Sequence, residues 1–269
     1  MLARTRELTE KVLAWYEQFE FHRVYHAVNE FTIVDLSALY LDVLKDRMYT
    51  LAPSSIERRS AQTVIWKITE ALVRLVAPVL PFTADEVWGY LSQVVGREAS
   101  VHLAEFPKAS DIAKKDEALL ADWIALLEIR DEVLKKLEVE RKAGNIGKAL
   151  EAQVKIVGTS ENLGALSKYA AGLKELFNVS QVKLETMHLE SISPTQVRVS
   201  EAPDDSLLAY VFPADGTKCE RCWNYYADDG PQHVRQYGPW ANVCGRCSDA
   251  LDQMGYKDLR ETEENGARA

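Results

Sequence analysis

Two pairs of cysteines near the end of the chain carry its clearest chemistry. Cys219 and Cys222 form one Cys-x-x-Cys pair, Cys244 and Cys247 form the other, and the chain contains 4 cysteines in all. With two residues between them, the thiolates of one pair can face a single ion, and two pairs supply the four soft ligands of a closed tetrahedral zinc site. We therefore expect one structural zinc ion per chain, bound by these four cysteines.

Two other uses of paired cysteines fit the sequence less well. Disulfides belong to secreted proteins, and no secretory signal opens this chain. A redox pair needs a single Cys-x-x-Cys at a strand-to-helix turn, whereas here two pairs lie in a segment rich in glycine and tryptophan. Cysteines confined to a metal motif fit a reducing compartment, so we expect a cytoplasmic protein.

An arginine and a tryptophan accompany the first cysteine pair. Arg221 lies inside the pair and Trp223 follows it directly. In one interpretation the indole fills the small core of the zinc module and the guanidinium balances thiolate charge. In the other, an exposed indole beside cationic groups stacks on an unpaired base of a nucleic acid, and nearby aromatic residues enlarge that surface: Tyr225, Tyr226, Tyr237 and Trp240. Composition fits both interpretations.

The rest of the chain offers no recognisable catalytic set. His22 and His26 lie four residues apart, but Arg23 stands where a zinc-protease motif has its glutamate. No Gly-rich phosphate loop and no nucleophile elbow is present. We therefore expect no catalytic residue in this chain.

Composition limits the classes of partner. Hydrophobic residues make up 47% of the 269 residues and charged residues 27%, as in an ordinary soluble globular protein. The net charge of −9 excludes an overall basic field, so any contact with RNA must be local. No apolar run reaches the length of a membrane span, and we expect no membrane partner.

The first 145 residues carry the pattern of long helices. Apolar residues at helical spacing predict a helix from Ala61 that ends near Pro78 and Pro81, which lack the backbone donors that a helix uses. Another helix, predicted over Lys114–Lys142, ends before Gly144, a residue suited to a left-handed cap. Two more are predicted upstream, over Thr5–Phe19 and Val24–Leu51. The chain begins inside an amphipathic pattern without a cap, so we expect an N-terminal neighbour to precede it.

The hydrophobic period changes after the helical part. Alternating apolar residues predict strands at 151–158, 180–186, 196–200 and 207–211, with a short helix over Glu161–Ala171. We therefore predict a mainly α fold, in which a helical bundle is followed by a small α/β unit and a C-terminal zinc-ribbon-like module. The predicted bounds are 1–145 for the bundle, 146–212 for the α/β unit, 213–255 for the zinc module and 256–269 for a flexible tail.

Several strings resemble one family of enzymes. Residues 55–64 and 75–88 look like the helical anticodon-binding region of class I aminoacyl-tRNA synthetases for isoleucine, valine and leucine, and residues 45–49 and 146–152 match further stretches of that region in order. The two cysteine pairs are similar to the C-terminal zinc module of the bacterial-type isoleucine enzymes, which the valine enzymes replace with a coiled coil. The resemblance spans nearly the whole chain.

The resemblance implies a division of labour within a larger enzyme. The family's His-x-Gly-His and Lys-Met-Ser-Lys-Ser motifs do not occur in this chain, so ATP, magnesium, isoleucine and editing sites are expected in N-terminal catalytic and editing domains of the same protein. The bundle and zinc module would bind the anticodon stem and loop of isoleucine tRNA, as part of a monomer. Arg221 and Trp223 match the family's anticodon contacts, whereas Arg58, Arg59 and Lys148 match motif positions with no assigned contact.

Two other classes of function remain open from the residues alone. A protein-interaction scaffold with a structural zinc ribbon would account for the acidic composition. The zinc-finger region of a DNA repair enzyme also ends in two cysteine pairs, but such an enzyme needs a catalytic N-terminal proline or carboxylate, and this chain begins Met-Leu-Ala.

Overall fold

A computed structural model of the chain describes residues 1–92, 94–186 and 207–256. The predicted strand at 196–200 and nearly all of the predicted tail lie outside the described residues. The chain divides into two compact units, of which the first comprises Met1–Met48 and Ser54–Leu120 and the second comprises Tyr49–Pro53 and Ala121–Ala269. Among the described helices, none has both the length and the apolar character that crossing a membrane requires.

The first unit is helical, as the sequence predicts. Its elements are α1 (Leu2–Glu17), α2 (Phe21–Glu30), a π-helix (Phe31–Tyr40), α3 (Leu41–Val43), α4 (Lys45–Thr50, which runs into the second unit), α5 (Ile56–Val76), α6 (Pro81–Tyr90), a 3-10 turn (Val101–Leu103) and α7 (Ala109–Ile112). The core between α1, α2 and α5 consists of apolar side chains at helical spacing: Leu8, Val12, Val24, Phe31, Ile68 and Leu75.

The helix predicted from Ala61 begins earlier, at Ile56. The Ser55 side chain accepts a hydrogen bond from the backbone N–H of Arg58 and so caps the first turn of α5. The helix ends at Val76, and Pro81 then occupies the first turn of α6, where its missing N–H carries no penalty. The starts of α5 and α6 therefore follow from Ser55 and Pro81, which are visible in the sequence.

The long helix predicted over Val24–Leu51 is helical but not uniform. It contains ten residues wound as a π-helix, Phe31–Tyr40. The Ser37 hydroxyl donates to the carbonyl of Thr32, five residues earlier, at 2.7 Å, which matches the wider turn. A sequence period near 3.6 residues gives no warning of this local widening.

The second unit opens with α8 and a three-stranded sheet. Its first elements are α8 (Glu117–Lys142, beginning in the first unit), a 3-10 turn (Ala149–Glu151), β1 (Ala152–Gly158), α9 (Ser160–Lys168), α10 (Ala170–Phe177), β2 (Gln181–Thr186) and β3 (Leu208–Pro213). The sheet order is β2-β1-β3, with β1 parallel to β2 and antiparallel to β3. Alternate residues of β1 are buried, and Gly144 takes a φ of +80° after α8, as its predicted capping role requires.

One prediction in this unit is wrong in its bounds. The single helix expected over Glu161–Ala171 consists of two helices that meet at Tyr169 and continue to Phe177. Leu173, Leu176 and Phe177 are buried on one face of α10, and Gly172 is the weak helix former within an otherwise helix-favouring sequence. The remaining elements form the cysteine-bearing segment: β4 (Thr217–Lys218), β5 (Tyr225–Tyr226), β6 (Arg235–Tyr237), β7 (Trp240–Val243) and α11 (Gly245–Gln253).

Candidate metal centre and the tryptophan beside it

Two short hairpins position the four cysteines. Strands β4 and β5 pair antiparallel, and the turn between them carries Cys219 and Cys222. Strands β6 and β7 also pair antiparallel, and β7 leads directly to Cys244, the residue before α11, so that Cys247 lies in the first turn of that helix. We call this segment, residues 217–253, the metal module.

The four sulfur atoms have the spacing of a tetrahedral metal site. They all lie within 4.8 Å of one another, and all four residues are buried. The sulfurs of Cys222 and Cys244 are 3.9 Å apart. Zinc–sulfur bonds of about 2.3 Å in a tetrahedron require sulfur–sulfur distances of about 3.8 Å. The donor set therefore fits a soft four-coordinate cation such as zinc, and the sequence prediction that these four cysteines converge is confirmed.

Hydrogen bonds hold the two cysteine turns together. The backbone N–H of Cys244 donates to the sulfur of Cys219 at 3.3 Å, across the two pairs. The backbone N–H of Glu220 donates to the carbonyl of Asn242 at 3.0 Å, and the Asn242 amide donates to the Glu220 carboxylate at 2.9 Å. These contacts connect the two cysteine-bearing turns directly and hold them next to each other.

Crowding of the thiols shifts their protonation. Hydrogen bonds from the neighbouring thiols, that of Cys219 first, hold the pKa of Cys222 below its ordinary value, whereas the same kind of contact raises the pKa of Cys247. The set offers a thiolate to an incoming cation, and ligation by all four sulfurs must release protons.

Arg221 bonds to the protein near the thiols. Its Nη1 donates to the backbone carbonyl of Thr50 at 2.6 Å and to the sulfur of Cys247 at 3.5 Å. The side chain is half-buried. A guanidinium at this place balances thiolate charge and fixes the first cysteine turn, which matches the first interpretation of this residue.

The two tryptophans of the metal module occupy different environments. Trp240 packs against the buried cysteine cluster, and its Nε1 donates to the carboxylate of Asp252 at 2.9 Å. The side chain of Trp223 is 56% exposed, and its backbone has a φ of +64°, a left-handed conformation that bulky residues rarely adopt. Trp240 therefore contributes to the packing around the cysteines, whereas burial does not account for Trp223.

The expected aromatic surface around Trp223 is smaller than the sequence suggested. Three of the four aromatic residues named with it pack against the cysteine cluster instead: Tyr226, Tyr237 and Trp240. A small module has few apolar residues, so these rings are needed for its core. Sequence composition placed them in the right segment but could not tell which rings face inward.

Lys148 lies beside Trp223, although the two are far apart in the chain. Its ammonium is 5.7 Å from the centroid of the Trp223 ring, within the range of a cation–π contact. Lys148 lies in the stretch 146–152 that resembles the family, where the resemblance assigned it no contact. Its position next to Trp223 follows from the fold alone.

Comparison with known proteins places the chain in a family. Residues 1–156 match the family described as the anticodon-binding domain of tRNA ligase. The chain belongs to this family. The resemblance drawn from the sequence is thus confirmed.

Similar proteins share more of the chain than the family match covers. The isoleucine–tRNA ligase of Desulforamulus reducens is 41% identical over 252 residues, which is 94% of this chain and 26% of that protein. That of Symbiobacterium thermophilum is 42% identical over 251 residues, covering 92% and 26%. That of Aquifex aeolicus is 41% identical over 257 residues, covering 95% and 25%. The chain spans about a quarter of the length of the relatives that it matches, and the alignments extend beyond residue 156.

Proposed function

We propose that this chain is the anticodon-recognition part of an isoleucine–tRNA ligase, the class I synthetase that attaches isoleucine to its tRNA using ATP. The observation that carries the proposal is the exposed Trp223, held beside a four-cysteine centre in a member of a tRNA-ligase anticodon-binding family. The family assignment does not favour an interaction scaffold or a DNA repair enzyme.

Trp223 suits stacking on an unpaired anticodon base. An indole that remains 56% exposed offers a flat apolar face to solvent, and base–aromatic stacking contributes about 1 to 3 kcal/mol per base. Its left-handed backbone costs roughly 1 to 3 kcal/mol, a cost that persists in proteins mainly where function uses it. A residue that is both strained and exposed fits a binding role better than a packing role.

Zinc is the cation that we propose for the centre, one ion per chain. Bound zinc would hold the four thiolates of Cys219, Cys222, Cys244 and Cys247 in a closed structural site with no position open for catalysis. The hydrogen bonds between Glu220 and Asn242 would align the two turns around it. The ion's part in recognition is therefore to fix the turn from which Trp223 projects.

The other sites of the enzyme belong to the rest of the protein in this proposal. Binding of ATP, magnesium and isoleucine, and editing, are assigned to N-terminal domains of the same synthetase, which we propose to be a cytoplasmic monomer. The charge of −9 supports recognition by a few local contacts with the anticodon stem and loop rather than by a basic surface.

Arg221 is proposed to contribute to recognition together with Trp223. Its bonds to the Thr50 carbonyl and the Cys247 sulfur support an indirect part, in which it positions the turn and supplies positive charge. Arg221→Lys keeps the charge but loses the planar fork, so it should lower tRNA affinity less than Arg221→Ala if charge is what matters.

The test compares the two tryptophans in the intact synthetase. Trp223→Ala should weaken tRNA recognition by about 1 to 3 kcal/mol, seen in aminoacylation kinetics, and leave isoleucine activation and metal content unchanged. Trp240→Ala is the matched control, because it removes an indole that packs on the cysteine cluster and should lower metal retention and stability. Loss of metal with a collapsed module in Trp223→Ala would show that Trp223 is structural and would contradict the proposal.

A further inference from the structure

Lys148 and Trp223 form an exposed pair contributed by two parts of the second unit. Lys148 precedes the 3-10 turn that leads into β1, and Trp223 follows Cys222 in the turn between β4 and β5. The ammonium lies 5.7 Å from the indole centroid, and both side chains are exposed. A cation and an aromatic face are thus available to solvent at one place.

The buried residue Ser180 bonds to the backbone close to each member of this pair. The hydroxyl of Ser180 donates to the carbonyl of Leu150 at 2.5 Å and accepts from the backbone N–H of Tyr225 at 2.8 Å. Leu150 lies two residues after Lys148, and Tyr225 lies two residues after Trp223. Because Ser180 is only 3% exposed, its hydroxyl is shielded from water, and its two bonds link the backbone near Lys148 to the backbone near Trp223.

Further bonds order the loop that carries Lys148. The backbone N–H of Gly147 donates to the Glu151 carboxylate at 2.9 Å, and the Glu151 carbonyl accepts from the backbone N–H of Ala214 at 2.6 Å. The loop is therefore held both to its own turn and to the chain that leads into the metal module.

The charge of Lys148 is not neutralised locally. Within the described part of the chain no carboxylate forms an ion pair with Lys148, whereas Lys155 pairs with Glu185 at 2.6 Å and Lys168 with Asp122 at 2.5 Å. In a chain with a net charge of −9, an unpaired and exposed ammonium next to an exposed indole is a local site for an anion with a flat ring.

We propose that Lys148 and Trp223 together bind a single unpaired RNA nucleotide, with the base stacked on the indole and the ammonium against its phosphate. This inference rests on the proposed function and adds to it a phosphate contact from outside the metal module. The contact neutralises charge without reading a base, so Lys148 should affect all tRNA sequences alike, whereas the stacked base supplies the aromatic contact.

The salt dependence of tRNA binding tests this pair. In the intact synthetase, affinity for tRNA falls as salt rises. Lys148→Gln should make the slope of log affinity against log salt less steep by about 0.7, because one phosphate contact to a single strand is lost. Over a fourfold rise in salt, affinity should then fall roughly 2.5-fold less than in the wild type. Lys148→Arg should restore the wild-type slope, and Trp223→Ala should weaken binding while leaving the slope unchanged.

Lys174→Gln is the matched control for charge. The Lys174 ammonium also lies over an aromatic ring of the metal module, that of Tyr226 at 4.9 Å, but this lysine is half-buried. Lys174→Gln removes one positive charge from the same unit as Lys148→Gln does, and it should leave the salt dependence of tRNA binding unchanged. An equal decrease in both variants would show a general charge effect and would overturn the inference.

The remaining outcomes separate this inference from the proposed function. Weakened binding by Trp223→Ala with an unchanged slope in Lys148→Gln would overturn the Lys148 contact and leave anticodon recognition standing. Unchanged affinity in both variants, with metal retained, would overturn the proposed function and this inference together.

Discussion

The helical core of the first unit and the buried centre of the metal module differ in what fills them. In the former, apolar side chains of α1, α2 and α5 pack on one another, with Val12 and Leu75 fully buried. In the latter, four cysteines and Val243 are the buried members, and partly buried aromatic rings surround them. Burial of apolar area can stabilise the first, but a segment as small as the second requires a metal or a similar crosslink.

The largest expected effect comes from removing the metal. Structural zinc in small domains contributes roughly 10 to 16 kcal/mol of apparent binding free energy, comparable to the stability of a whole domain. Treatment with a strong chelator should therefore unfold the metal module and make four thiols reactive, while far-ultraviolet circular dichroism of the helices persists. Protected thiols in the metal-free protein would mean that the module folds by burial after all, and the contrast would be broken.

A core substitution should show the opposite pattern. Leu75 is 0% exposed, so Leu75→Ala should lower the free energy of unfolding of the helical part by about 2 to 5 kcal/mol without loss of metal. Leu103→Ala, at a residue that is 71% exposed, is the control and should change stability little. Denaturant unfolding followed by circular dichroism, beside metal analysis, measures both. Metal loss in Leu75→Ala would indicate that the two centres are not independent.

A smaller effect is expected where the sheet and the metal module are joined. Ser180→Ala would leave the Leu150 carbonyl and the Tyr225 N–H without their buried partner, which should cost about 1 to 3 kcal/mol. Hydrogen exchange should speed up at Tyr225. Ser167→Ala, at an exposed helical residue, is the control and should be neutral or slightly stabilising. Unchanged exchange in Ser180→Ala would show that the join does not depend on this hydroxyl.

The smallest effect separates the two tryptophans by backbone strain. At a φ of +64°, glycine is less strained than alanine, so Trp223→Gly should be more stable than Trp223→Ala by roughly 1 kcal/mol. Trp240 lies in β7, where glycine should instead be less stable than alanine by about 0.5 to 1 kcal/mol. Thermal unfolding of the four metal-loaded variants measures both differences. If the glycine variant were the more stable, or the less stable, at both positions, backbone strain would not distinguish Trp223 from Trp240.

Local chemistry explains which features the sequence could predict. The cysteine pairs were recognisable because metal ligation imposes a fixed spacing, and α5 and α8 because their apolar residues recur at helical intervals. The strands at 151–158 and 180–186 followed from alternation, which a half-buried sheet requires. In each case the pattern that allows the prediction is local, because it repeats among residues that are close together in sequence.

Features that depend on distant contacts could not be predicted in this way. Trp223 and Trp240 have the same side chain in the same segment, but they differ in backbone conformation and in packing partners, so that one is exposed and the other packs against the cysteines. Lys148 and Trp223 meet although they are far apart in sequence, and Ser180, which is distant from both, bonds to the backbone near each of them. The continuation of α9 into α10 is different, because Leu173, Leu176 and Phe177 have helical spacing and this part of the helix could have been predicted from the local pattern.

The sheet order β2-β1-β3 also sets an order of events in time. β1 and β2 are joined by the crossover through α9 and α10, residues 159–180, whereas residues 159–207 separate β1 from β3, with which it also pairs. Closing a longer loop costs more entropy and delays pairing, so β3 should join a β1–β2 pair that already exists. Because the loop that carries Lys148 leads into β1 and the metal module follows β3, the two parts of the proposed RNA site should come together only after β3 has paired with β1.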